Sequence, residues 1–312
     1  MATYFERESP LWQHIAELVV RLRRILFAMA IAAAVLSLIP VGVVKAIATG
    51  SIKPLMQGPT SYVPLVSALP RMIIEIVVPK KISLFGRTYN ITIMPTSPME
   101  SFDVLFYTVL LLGVLGASPV IAHEIWAYIK PALYPHEVKF IKKAVAIGFI
   151  CFIVGAYMGL FMIAPWFMRI MLYMYPYFIP TGYAAILRVS VTDALKLGVL
   201  MAIAMGLVLE IPPIIYYLLA FRIIDPDIFT GEGMKWAFVA SLLVGAVISP
   251  DPTGMGMIAI AVTLYVPFYV AVKLGTKAYY KRKEMEEKGL VLAREEVAVI
   301  KELATAVASE AK

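Results

Sequence analysis

This chain is poor in the residues that most enzymes work with. It has one cysteine, Cys151, so no disulfide can form within it, and a lone thiol in an apolar run reads as a small core residue. Its three histidines, His14, His123 and His136, are scattered, and His123-Glu124 and His136-Glu137 lack the second histidine of a zinc protease helix. There is no Gly-x-Ser-x-Gly turn, no phosphate-cradling Gly-Lys-Ser/Thr loop and no cysteine cluster for a metal. The expectation is no enzyme: no catalytic residue, no metal and no cofactor. Charge is scarce as well. Only 16% of the 312 residues are Asp, Glu, Lys or Arg, against about 25% in a soluble domain.

Apolar length takes the place of charge. Hydrophobic residues make up 61% of the chain and the mean hydropathy is +0.83, which predicts an integral membrane protein. Arg24 to Lys45 encloses 20 uncharged residues, Asp103 to Glu124 another 20, and Lys143 to Arg169 encloses 25. Between Lys196 and Arg222 the only charge is Glu210; Lys235 to Asp251 encloses 15 residues and Asp251 to Lys273 encloses 21. The last two are separate spans, because Pro250-Asp251-Pro252-Thr253-Gly254 is a strong turn signal. The fold expected is all-α with six transmembrane helices, near 25–45, 103–124, 144–168, 197–221, 236–250 and 254–273. The fifth is short: 15 residues reach only about 22 Å, against a hydrocarbon core of about 30 Å.

Lysine and arginine set the orientation. Segment 1–24 carries four, 128–143 four, 221–235 two and 273–312 nine, whereas the other side has five in the long 47–100 loop, two in 169–195 and none at 249–254. The positive-inside rule puts both termini in the cytoplasm, at the cell membrane, and the net charge of +7 needs no nucleic acid to explain it. Residues 1–24 read as a cytoplasmic amphipathic segment whose helix, over 9–24, is capped by Ser9 and feeds the first span, a retained helix and not a signal peptide. Residues 276–312 read as a solvated helical tail, broken near Gly289. Within the outer loop, Leu65 to Val78 predicts a short helix on the membrane, and Ile82 to Tyr89 followed by Ile91-Thr92-Ile93 a small hairpin.

Glu210 is the residue that an apolar run does not explain. Near mid-bilayer an acid costs roughly 2.5 to 3.5 kcal/mol to insert. Pro212 and Pro213 follow it and remove two backbone donors, so a kink is expected beside the acid. Helical spacing puts Gly206, Pro213, Ile214 and Tyr217 on its face, predicted to line a wet concavity.

Three stretches resemble TatC, the multispanning receptor subunit of the twin-arginine protein translocase. Leu11-Trp12-Gln13-His14-Ile15-Ala16-Glu17-Leu18-Val19-Val20-Arg21-Leu22-Arg23-Arg24 is similar to the family's His-Leu-x-Glu-Leu-Arg-x-Arg-Leu opening. Ala117 to Glu137, which includes Ser118-Pro119, Trp126-Ala127-Tyr128 and Pro131-Ala132-Leu133-Tyr134, is similar to the segment at the second span's cytoplasmic end. Leu209-Glu210-Ile211-Pro212, followed by Ser249-Pro250-Asp251, resembles the family's Phe-Glu-Leu-Pro and Thr-Pro-Pro-Asp. Their order and topology match over roughly 9–275, and the archaeal branch of the family is the one expected. The resemblance implies a concave, glove-like bundle with short fifth and sixth helices. It also implies a receptor for twin-arginine signal peptides of folded cargo, which assembles with copies of itself and with single-span TatA/TatB-type partners in the lipid. The pore so formed is driven by the proton-motive force.

Glu17 and Glu137 match the family's signal-binding acids, with Tyr128, Trp126 and Arg21 beside them. Carboxylates suit the task, since guanidinium–carboxylate bonds are bidentate and charge-assisted. Ordinary readings compete: Glu17 lies four residues before Arg21, an intrahelical pair worth about 0.2–0.5 kcal/mol, and Asp251 fits a role in shaping its extracytoplasmic turn. Some residues depart from the family pattern. Val19 replaces an arginine, Val138-Lys139 stands where two arginines are common, Met255 replaces a polar residue, and Glu124 adds an acid where glutamine is frequent. The alternative function is a proton-coupled small-solute transporter that uses Glu210 in a broken helix. It lacks the matching break expected in the other half of such a fold.

Overall fold

In the computed structural model the described residues are 11–44, 63–84, 87–129, 138–178, 187–249, 251 and 253–310. Most of them are helical. Helix α1 (Leu11–Leu38) carries the first apolar stretch; α2 (Leu65–Val77) and strands β1 (Lys81–Leu84) and β2 (Arg87–Met94) come next. Helix α3 (Glu100–Ile129) follows, then α4 (Val138–Met158), a π turn (Gly159–Ile163) and α5 (Ala164–Phe178). Strand β3 (Leu187–Ser190) leads into α6 (Val191–Val208) and α7 (Ile211–Ala220), and α8 (Glu232–Ile248) and α9 (Met255–Glu310) close the chain. Among the described residues four stretches are long and apolar enough to cross a membrane: 100–128, 143–175, 191–220 and 255–289.

Helix α1 runs unbroken through position 24, so the amphipathic segment and the first span form one helix. It ends at Leu38, short of the expected 45, because Pro40 follows and the chain turns to meet the start of α2. There Val41 N–H donates to Val63 O at 2.9 Å and Leu65 N–H to Ile39 O at 2.9 Å. Ser9 lies outside the described residues. Helix α2 docks on the bundle through Ile73 and Val77, both fully buried, whose methyls close over Gly198 of α6.

The expected hairpin pairs Ile82 with Tyr89, which places Tyr89 in the second strand. A third strand was not foreseen: Leu187–Ser190 pairs parallel with Ile91–Met94. Four residues with two buried alternate positions leave too short a pattern to read as a strand.

The third span packs backbone to backbone on α6. A Cβ at Gly155 would meet Met205 O at 2.4 Å, and one at Gly159 would meet Met201 O at 2.2 Å. Small residues four apart permit this approach between apolar helices, where shape and close contact must do what hydrophobicity cannot in lipid. The main core forms there, around Phe167, Leu195, Met205 and Ile260.

The fifth helix is short. Helix α8 has 17 residues, about 25 Å at ~1.5 Å each. The sixth span continues into the tail: α9 extends for 56 residues, with no break at Gly289 where one was expected. A single glycine costs only about 1 kcal/mol relative to alanine in a helix, and its neighbours on both sides are strong helix formers, so the apolar span and the charged tail form one rod.

Candidate functional site

Near the start of α1 and the end of α3, the two helices bring a basic residue between two acids. Arg21 donates to Glu17 Oε1 through Nε at 3.0 Å and Nη2 at 2.5 Å. Its Nη1 reaches Glu124 Oε2 on α3 at 3.1 Å, and Nη2 also donates to Ala127 O at 3.1 Å. The guanidinium sits 5.8 Å from the ring centre of Tyr128, within cation–π range. Glu17, Arg21 and Tyr128 thus lie together, while Trp126 is half-buried on the same turn and takes no part in these hydrogen bonds. Glu137 and Tyr134 lie outside the described residues. The Glu17 side chain is 43% exposed and that of Glu124 only 11%, so the two acids differ sharply in access. A hollow of about 360 Å³ is lined by Ala16, Glu17, Val20, Arg21 and Arg24.

Glu124 was not singled out as a site residue from the sequence. It stood out only as an extra acid, and spacing gives no warning that Arg21 reaches it from 103 positions away.

The second polar locus lies deeper. The helix breaks at Leu209-Glu210, between α6 and α7, and Pro212 falls in the first turn of α7, where its missing N–H leaves nothing unsatisfied. Glu210, Pro213, Ile214 and Tyr217 line a cavity of about 540 Å³ whose far wall is α3 and α4, including Ser118, Ile121, Gly148 and Phe149. Gly206, expected on the same face, instead accommodates Phe152: a Cβ there would meet its ring at 2.8 Å. The break at 209–210 shifts the helical phase, so spacing counted straight through it misplaces that residue. Among the described residues the Glu210 carboxylate has no hydrogen-bond or ion-pair partner, and Tyr217 does not supply one. Tyr217 packs edge-on against Tyr216 and stacks on Phe221.

Asp251 organises the turn between α8 and α9. The hydroxyls of Ser249 and Thr253 donate to its two oxygens, and Gly256 N–H donates to Oδ2 at 3.2 Å. Burial opposes the charge, yet these hydroxyl and amide donors win and hold the carboxyl below its usual range. The negative charge faces the N-terminal amides of α9, where the helix field favours it. Gly254, at φ +74°, supplies the left-handed residue this turn needs.

Among the described residues there is no group of three or more His, Cys, Asp or Glu placed to hold a metal.

The family profile for Sec-independent protein translocase protein (TatC) matches residues 13–262. The Sec-independent protein translocase protein TatC of Aquifex aeolicus is 27% identical over 199 residues, which cover 64% of this chain and 80% of that protein. That of Carboxydothermus hydrogenoformans is 25% identical over 173 residues, covering 55% of this chain and 68% of its own. A crystal structure of the twin arginine translocase receptor TatC shares the fold, with a TM-score of 0.59 at 21% identity over 85% of this chain and 99% of that one. These relatives are bacterial, so the archaeal branch expected from the sequence has no support in them. The solute-transporter alternative has none either. The chain belongs to the TatC family of protein translocase subunits.

Proposed function

We propose that this chain is the receptor of a twin-arginine translocation system, a binding subunit and not a catalyst. It takes the arginine pair of a folded cargo's signal peptide at its cytoplasmic carboxylates. The observation that carries this is the half-exposed Glu17 carboxylate, held in place by Arg21 beside the face of Tyr128 at the cytoplasmic end of two packed helices. A guanidinium arriving from the cytoplasm finds a preset acceptor there, with an aromatic surface for the apolar part of the peptide. Glu137 is the proposed second acceptor on the strength of the sequence resemblance, with Trp126 adding apolar surface nearby.

The lysine and arginine distribution supports a cell-membrane protein with both termini cytoplasmic. After signal binding, single-span TatA/TatB-type subunits and further copies of the chain join to form the pore, and Glu210 attracts a polar group of the signal or of a partner. The test is capture of the full-length protein by a twin-arginine signal peptide against its twin-lysine counterpart. Retention by the first alone is expected, and loss of that retention in Glu137→Lys. Equal capture by both peptides, or unchanged capture of Glu137→Lys, would remove the reading.

A further inference from the structure

The Arg21 cluster holds a feature that binding at Glu17 alone does not account for. In an isolated i,i+4 pair, Arg21 would neutralise Glu17 one to one, and an incoming guanidinium would have to displace it. Here Arg21 is drawn to α3 by three contacts: the Glu124 carboxylate at 3.1 Å, the Ala127 carbonyl at 3.1 Å and the Tyr128 ring. Glu124 is nearly buried, so its charge needs a partner, and removing that partner would leave a desolvated anion. Arg24 is a poor substitute, being 3.8 Å away and 61% exposed. Glu17, Arg21 and Glu124 together carry one net negative charge, which Arg24 balances only from the exposed side at 3.8 Å. Glu17 is the exposed member, and its Oε2 makes no hydrogen bond among the described residues. That oxygen, on a half-exposed side chain, is the acceptor left for an incoming donor.

We propose that Glu124 is the residue that leaves Glu17 open to an external guanidinium: it shares Arg21 with Glu17, so that two carboxylates divide one close guanidinium. Glu124 acts through Arg21 and does not touch the signal, so it is a positioning residue. The inference rests on the reading of Glu17 as a signal-binding carboxylate.

Charge arithmetic separates this from a structural role. Glu124→Gln keeps the shape and leaves Arg21 to neutralise Glu17. Adding Arg21→Gln restores a free charge on Glu17, although it removes yet another contact with α3. The measurement is the affinity of a labelled peptide with an arginine pair ahead of an apolar stretch, for the full chain in lipid nanodiscs. Glu124→Gln should weaken binding about tenfold, and the double variant should return to within about twofold of the parent.

A double variant as weak as Glu124→Gln overturns the inference, as does unchanged binding in Glu124→Gln while Glu17→Gln loses it. Unchanged binding in Glu17→Gln overturns the receptor reading of that residue itself, a distinct result. Should Glu124→Gln not fold, Arg21→Gln against the double variant decides. Affinities within about twofold support the inference, and a gap of about tenfold refutes it.

Discussion

Arg21 on α1 donates to Glu124 on α3 at 3.1 Å and so ties together residues 103 positions apart. The tie fixes one end of a helix pair whose middle is held by small residues: Ala32 and Ala33 of α1 face Gly116 and Gly113 of α3. A polar clasp at one end and close-packed backbones further along set the angle at which α1 meets the bundle. The exposed Glu17 carboxylate is positioned by that angle.

Glu210 provides the first prediction. Glu210→Gln keeps hydrogen-bonding capacity and removes the charge, whereas Glu210→Ala removes both. We expect export of a twin-arginine reporter to fall in both variants while the protein remains inserted and folded. Normal export in the Gln variant with failure only in the Ala variant would leave the charge without a role and reduce Glu210 to a prop for the kinked helix.

Close packing gives a second test with its own control. Gly159→Ala puts a methyl against the Met201 carbonyl, and overpacking of this kind costs typically about 1–3 kcal/mol. Gly148, on the same side of the fold, has nothing within 4 Å of its missing Cβ. Gly148→Ala should therefore be neutral, or stabilising by up to about 1 kcal/mol through helix propensity. Thermal melts in detergent should separate the two, with only the Gly159 variant melting earlier.

The Asp251 turn should carry a pH signature. Its folded pKa is held below the ordinary value by the Ser249, Thr253 and Gly256 donors despite partial burial. For a depressed carboxyl, the stabilisation is complete above the unfolded value of about 3.9 and is lost as pH falls through the folded value. Asp251→Asn should lower the melting temperature by a few degrees at neutral pH, with the difference shrinking under acid. A difference that stays constant from neutral pH to pH ~2 would show that charge is not what the turn uses.

A fourth expectation concerns α8. Seventeen residues fall short of a ~30 Å core, so local thinning of the bilayer beside α8 should assist assembly. Inserting about five apolar residues restores a full crossing and should impair recruitment of single-span partners, read by cross-linking in membranes. Intact recruitment and export after the insertion would leave the short helix without a mechanistic part.

The sequence alone determined the membrane class, the break beside Glu210 and a short helix over 65–78, which it placed on the membrane and not against the bundle where it docks. Each follows from a local rule. Charges are expelled from apolar runs, proline removes a donor, and an amphipathic period shows which face is buried. Glycines 155 and 159 were visible as letters, but which backbone they would meet was not. The same holds for β3, whose four residues gain meaning only when β2 arrives beside them.

Only the tertiary structure decided what surrounds the acids. Spacing pairs Arg21 with Glu17 because helical neighbours are fixed by geometry, yet it says nothing of Glu124, which reaches Arg21 through the packing of two helices. Likewise it assigned Gly206 to the face of Glu210, whereas the kink turned that glycine to Phe152 and left Pro213, Ile214 and Tyr217 on the cavity. Local chemistry is written in consecutive residues. Which charge meets which depends on how rigid helices cross, and that is fixed by contacts distributed over the whole chain.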